Sequence, residues 1–228
     1  MNAWKAGAMS ALVGALLFGC EDRTPTGASD GVTGADGLTG ASATEADART
    51  GISATVAGVQ NVRMRWDIVS INFATGTASA GGVANARAND GSKITLTGSG
   101  TFNPTAGKLQ HVTGGGTWKT FAPDGSVTGS GPYQVTGFVS FTKTPGTFPL
   151  PHDNIGNPAK ARAGFLVVNI AYSDGSDGVL IVSCHFTGTP DAVFEGVTAT
   201  KGFVDYWRRA APPPPPGNAN RTNFHILP

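Results

Sequence analysis

Three phrases of one kind stand in the middle of the chain: Thr97-Gly98-Ser99-Gly100-Thr101-Phe102, Thr113-Gly114-Gly115-Gly116-Thr117-Trp118 and Thr128-Gly129-Ser130-Gly131-Pro132-Tyr133. They are offset by 16 and 15 residues, one strand and one turn each. Turn signals precede them: Asn89-Asp90-Gly91, then Pro104 to Gly107, then Pro123-Asp124-Gly125. Asp-Gly between alternating runs is a strong short-range hairpin signal, because the turn needs residues that tolerate positive φ. Period two holds within the runs. Ile94, Leu96, Gly98, Gly100 and Phe102 share one face, and Val112, Gly114, Gly116 and Trp118 repeat the pattern. In the longest run, Val127, Gly129, Gly131, Tyr133, Val135, Gly137, Val139 and Phe141 are expected to face one way. Glycine at alternate inward positions permits strong coiling and leaves room for neighbouring rings.

Further strands flank this meander. Val62 to Phe73 and Thr77 to Ala88 come before it; Ala163 to Tyr172, Val179 to Thr187 and Phe194 to Trp207 come after. Ala163 to Tyr172 is apolar on both faces except at Asn169, which predicts cover on both sides. The fold class is therefore all-β, an antiparallel meander of about eight strands forming a closed or nearly closed barrel. A two-sheet β-sandwich is the alternative. Lys143 to Lys160, with Pro145, Pro149, Pro151 and Pro158, interrupts the pattern as a long loop of the kind that is usually functional or mobile. Over about fifty residues the Gly-aromatic meander resembles the small barrels of the allene oxide cyclase and dirigent type. No functional motif of those families aligns with it, so no residue role or activity follows.

The ends read differently. Met1 to Lys5 carries one positive charge, and Ala6 to Phe18 carries none. That apolar run is too short to span a bilayer but suits a secretory h-region. It ends in Leu17-Phe18-Gly19-Cys20, which resembles the lipobox of bacterial lipoproteins, with Phe18 standing where a small or β-branched residue is usual. The resemblance implies a signal peptide over 1–19, a diacylglycerol on the Cys20 thiol, and export to the cell envelope with lipid anchorage in a bacterial membrane. Residues 20–50 then form the anchor and a flexible tether of Gly, Ala, Thr, Ser and Asp. The single β domain is placed at 51–209. Residues 210–228 are read as a Pro-rich spacer, Pro212 to Pro216, and a short apolar tail, with docking of that tail as an edge strand left open.

Charge and composition narrow the function without naming it. Lys+Arg 16 against Asp+Glu 15 argues against a nucleic-acid partner, which needs a clustered basic excess. Gly 33 and Pro 15 argue against a helical bundle. His111, His152, His185 and His225 lack metal-ligand spacing, and no cofactor is implied. Cys184 reads as a buried small hydrophobe, and strand alternation keeps it from pairing with His185. Arg63, Arg65 and Asp67 alternate on one face, where a surface ion pair is the default, and outward Thr95, Thr97, Thr101, Thr113 and Thr117 suit a solvated sheet face. The leading expectation is a non-enzymatic module tethered to the membrane through Cys20 that binds a small molecule, a glycan or an envelope partner, with Phe102, Trp118 and Tyr133 as ligand-binding candidates if they line a cavity. The alternatives are an enzyme assembled from distant loops, with His152, Asp153 and Asn154 as candidates, and a purely structural envelope protein.

Overall fold

The computed structural model describes residues 62–105, 112–214 and 217–228. The expected signal peptide, Cys20, the expected tether and the start of the domain to residue 61 lie outside the described residues. One sheet contains every strand. In chain order these are β1 (Met64–Asn72), β2 (Thr77–Ala80), β3 (Ala84–Arg87), β4 (Lys93–Leu96), β5 (Ser99–Phe102), β6 (Val112–Phe121), β7 (Val127–Thr144), β8 (His152–Asp153), β9 (Ala161–Tyr172), β10 (Asp177–Cys184), β11 (Gly196–Lys201), β12 (Val204–Tyr206), β13 (Arg208–Arg209) and β14 (Arg221–Ile226). Six of them, β1, β5, β6, β7, β9 and β14, hydrogen-bond in a closed antiparallel ring. The fold is thus all-β with a closed barrel, and the sandwich alternative falls away because there is one sheet. The other strands extend this ring: β10 to β12 continue from β9, β4, β3 and β13 from β6, and β2 and β8 from β1.

The run read as one strand from Ile94 to Phe102 breaks at Thr97-Gly98 into β4 and β5. Both halves stay paired to β6, at its two ends. At the break the Gly98 carbonyl accepts the Ile68 amide at 2.9 Å. This lets β5 pair with β1 while β4 pairs with β3. In β7 the expected single-face alternation fails at two places. The register against β9 slips between Val135 and Gly137 and again between Phe138 and Ser140. Each slip reverses side-chain parity, so Phe138 and Phe141 both pack on the core while Val139 is 42% exposed. At the other end of β7, the slip against β6 at Thr120/Phe121 leaves Val127 56% exposed.

The barrel interior is filled. Trp66, Ile68, Phe102, Leu166, Val168 and Phe224 are fully buried. Trp66 lies against the glycines of the repeated phrase: a Cβ at Gly100 would stand 2.6 Å from its Nε1, and one at Gly114 3.0 Å from its Cζ2. The inward glycines therefore do make room for rings, Trp66 of β1 at Gly100 and Gly114 and Trp118 at Gly129, where a Cβ would stand 2.9 Å from its Cη2. At one end Phe102 packs with Phe138, Phe141 and Phe224 at centroid separations of 5.0–6.1 Å.

The segment beyond Arg209, read as a spacer and tail outside the domain, contributes β14, which lies inside the ring between β1 and β9. It is an interior strand, neither an edge nor an appendage, and its Thr222, Asn223, Phe224 and His225 are all buried. Asn220 fixes its entry. In the left-handed conformation that Asn tolerates (φ 58), it accepts the Asn85 amide at 2.7 Å and donates its own amide to Val83 at 2.7 Å.

Candidate functional site

Alternation on β1 turns Met64, Trp66 and Ile68 inward and Arg65, Asp67, Val69 and Ile71 outward. Outward should mean solvent, yet Asp67, Val69 and Ile71 are buried. The Pro-rich segment covers them. His152 and Asp153 pair in parallel with Thr77 and Ala78 of β2, Asn154 donates to the Ala78 carbonyl at 2.9 Å, and the Pro145 carbonyl accepts the Thr189 hydroxyl at 2.8 Å. Phe148, Leu150 and Ile155 then seal a second apolar cluster with Val69, Ile71 and Ala78, outside the barrel. The segment is a strap over the β1–β14 wall.

Beneath one part of the strap lies a charged cluster. Arg65 forms two hydrogen bonds to Asp67, both at 2.7 Å. Asp67 is opposite Asn223, and Arg65 opposite His225, in the β1–β14 register. From the strap, Asp153 accepts His225 Nε2 at 2.7 Å and Asn223 Nδ2 at 3.3 Å through Oδ2, and the Ile155 amide at 2.8 Å through Oδ1. Burial pushes the Asp67 pKa above the usual carboxylate value, against the opposing pull of Arg65. The pair expected on the surface is thus buried on one side only: Asp67 is shut in, while the Arg65 side chain stays 34% exposed, so it is the carboxylate whose desolvation offsets the attraction. The His225–Asp153 pair has the geometry of half a catalytic triad. However, His225 is shut from solvent and a Cβ at Gly156 would stand 2.8 Å from its ring. That enclosure makes the pair a clamp for the strap. Of the three adjacent candidates only Asp153 enters the cluster; His152 is exposed and Asn154 Nδ2 turns to Ser79 Oγ at 3.1 Å.

Under the other part of the strap is a half-open cavity of about 80 Å³. Its walls are apolar: Val69, Ile71, Phe73, Phe148 and Leu150. Its polar side comes from His185, Glu195, Arg221, Thr222 and Asn223. Glu195 is half-buried but its carboxyl is held by the backbone, accepting the His185 amide and the Thr222 amide, each at 2.6 Å. Desolvation pushes its pKa up to about 8 even so, against the pull of those amides and of the Arg221 guanidinium. Two buried polar atoms on this side have no protein partner, Arg221 Nε and Asn223 Oδ1. Such atoms carry a desolvation penalty that a bound group or water can remove.

The aromatic candidates lie elsewhere. Phe102, Trp118 and Tyr133 are all buried, and Trp118 and Tyr133 each also line an open hollow, Trp118 with Thr117, Lys119 and Gly131 and Tyr133 with Gln134, Tyr172 and Ser173. Phe102 belongs to the four-ring cluster. Trp118 packs edge-on to Tyr172 at 5.7 Å under the Lys201 ammonium, 4.3 Å from its ring centroid, and donates to the Pro132 carbonyl at 3.2 Å. The Tyr133 hydroxyl donates to the Thr97 carbonyl at 2.9 Å, and burial raises its pKa. The outward threonines satisfy one another across strands, Thr97 with Thr117 at 2.8 Å and Thr101 with Thr113 at 2.9 Å. Cys184 is a free, buried thiol that donates to the Thr222 carbonyl at 3.2 Å. Among the described residues no three His, Cys, Asp or Glu side chains are grouped to hold a metal ion.

The strap cavity was missed from the sequence. Its polar side comes from β14, which reads as a tail, and from Glu195, which sits alone in a loop. The strict alternation Arg221-Thr222-Asn223-Phe224-His225-Ile226 was the available signal for a strand. No protein-family model, curated protein or solved structure matches the chain.

Proposed function

We propose that this is a non-enzymatic binding module of the cell envelope, anchored through a lipid on Cys20 and spaced from the membrane by residues 21–50. Its ligand is a small molecule with an apolar body and a neutral head that both donates and accepts, such as a carboxamide or a protonated carboxylic acid. The observation that carries this reading is the pair of unpartnered buried atoms, the Asn223 Oδ1 acceptor and the Arg221 Nε donor, beside apolar cavity walls. A head of that kind supplies the missing partner to each, and the apolar body replaces water against Phe73, Phe148 and Leu150.

The test uses the full chain with butanamide and butanoic acid as probes, read by ligand-observed NMR. With six heavy atoms and roughly half the maximum efficiency of very small ligands, a Kd on the order of 1 mM is expected. Leu150→Trp fills the cavity and is expected to abolish the signal while the cooperative unfolding transition remains. Equal binding by this variant, or no binding of either probe, refutes the assignment. For the anchor, intact mass of the membrane fraction is expected to show acyl additions that Cys20→Ser removes; an unmodified Cys20 refutes it.

A further inference from the structure

A line of cations crosses the strands that continue from β6. In the registers of β13, β3, β4 and β6, Arg208 stands opposite Arg87, Arg87 opposite Lys93, and Lys93 opposite Phe121. Arg87 and Arg208 are exposed and Lys93 is half-buried. None of the three cations makes an ion pair or a side-chain hydrogen bond among the described residues; the ion pairs there belong to Arg65, Lys201 and His225. Like charges directly opposite one another destabilise a sheet, and Thr, used along the neighbouring outer positions, would avoid that. Each end of the line carries a ring. Lys93 Nζ lies 4.3 Å from the Phe121 centroid, and the Arg208 guanidinium 6.0 Å from that of Trp207, itself 55% exposed.

We infer that this row binds a linear, carboxylate-bearing polysaccharide laid across the strands. Cations on adjacent strands repeat at about 4.8 Å along the hydrogen-bonding direction, which suits a chain carrying an acid on each sugar. The exposed face of Trp207 offers the apolar platform against which a sugar ring stacks. The geometry is a line and not a patch: the next row is Asn85, Thr95, Lys119 and Ser130, with a single cation. A bilayer needs a patch, and at the rim it would meet the carboxylates of Asp90 and Asp124, which hydrogen bonds from Ser92 and Ser126 hold below the usual pKa. A nucleic-acid strand stacks successive bases on several aromatic faces, whereas this row carries one largely exposed ring, Trp207.

The experiment titrates the full chain with an alginate oligomer, a linear polyuronate, by calorimetry at low salt. Neutral dextran, oligothymidylate and phosphatidylglycerol vesicles are the comparisons. Binding is expected for alginate alone and is expected to weaken with salt. In the double variant Arg87→Ser/Lys93→Ser it should drop by about tenfold, the combined effect of two exposed ionic contacts. The same variant is expected to melt at a higher temperature, because like charges have been removed; a purely structural role for these residues predicts the opposite. Absence of alginate binding, unchanged affinity in the double variant, or a preference for oligothymidylate or vesicles each overturns the inference.

Discussion

Replacing Glu195 by Gln is expected to change how stability depends on pH, and the sign follows from the environment of the carboxyl. Its ordinary value is 4.5 and its folded value about 8. Between those limits the folded state keeps a proton that the unfolded state has released, so stability is fully present below about pH 4.5 and is lost as pH rises toward 8. At about 1.4 kcal/mol per pH unit the loss over this window reaches at most about 5 kcal/mol. Water in the half-open cavity reduces it. Even half that figure is a large share of a typical total of about 5–15 kcal/mol. Gln cannot ionise, so its own contribution is flat. Its amide nitrogen, however, meets one of the two backbone donors now shared by the carboxyl, a loss of about 1 kcal/mol. The variant is therefore expected to be slightly less stable than the parent near pH 4.5 and more stable at pH 8, with the curves crossing at about pH 5. Urea unfolding at several pH values between these limits measures the difference directly. Asp67, whose pKa is also raised, contributes equally to both proteins and cancels. Parallel curves, or a crossing in the opposite direction, would refute the assignment of a desolvated, proton-holding carboxyl to Glu195.

Three substitutions and one truncation test the architecture. Gly100→Ala places a Cβ 2.1 Å from the Thr113 carbonyl oxygen and 2.6 Å from Trp66 Nε1; thermal unfolding should show a loss of about 3 kcal/mol or more, because neighbouring backbone has to move. Gly125→Ala, at φ +88 with nothing within 4 Å, should lose only about 1–2 kcal/mol, the backbone term alone. Phe224→Ala is expected to lose about 3–5 kcal/mol, and a chain ending at Ala211 should show no cooperative transition by near-ultraviolet circular dichroism. Adding the peptide 217–228 should restore that signal; a truncated chain that folds unaided would show that β14 is dispensable to the ring.

How far the fold could be read from the residues depended on whether the deciding information was local. Turn chemistry is local: Asn89-Asp90-Gly91 and Pro123-Asp124-Gly125 are both turns, and Gly91 and Gly125 both adopt the positive φ that selects glycine. Alternation is local too, and it places Ile94, Leu96, Phe102, Trp118 and Tyr133 inside correctly. What alternation cannot show is a slip. The two irregularities in β7 arise where its partner β9 imposes its own register, so the inward side passes to Phe138 while Val139 turns out. No property of Val139 itself distinguishes it from Val135. The tail is a similar case. Six alternating residues after a proline run look like an appendage until β1 and β9 are seen to leave a gap between them.

The candidate site was harder to read because outwardness, as inferred from a strand, refers to the sheet and not to solvent. Arg65 and Asp67 have the spacing of a surface pair, and so they would be if the β1–β14 wall were bare. The strap makes the difference, and its coverage depends on pairing between His152-Asp153 and β2, on an apolar seal at Phe148 and Leu150, and on Asp153 reaching His225 more than seventy positions away. Each contact joins segments far apart in the chain, and none has a local signature beyond the four prolines that keep the segment extended. The same covering action shuts in a charged cluster at one end, where the unpartnered His225 Nδ1 lies in a ring packed against Gly156, and leaves the unpartnered Arg221 Nε and Asn223 Oδ1 beside a cavity at the other. That asymmetry is the physical reason to look for a ligand at Asn223 and Arg221 and for a clamp at Asp153 and His225, although all four contribute to the same strap-covered wall.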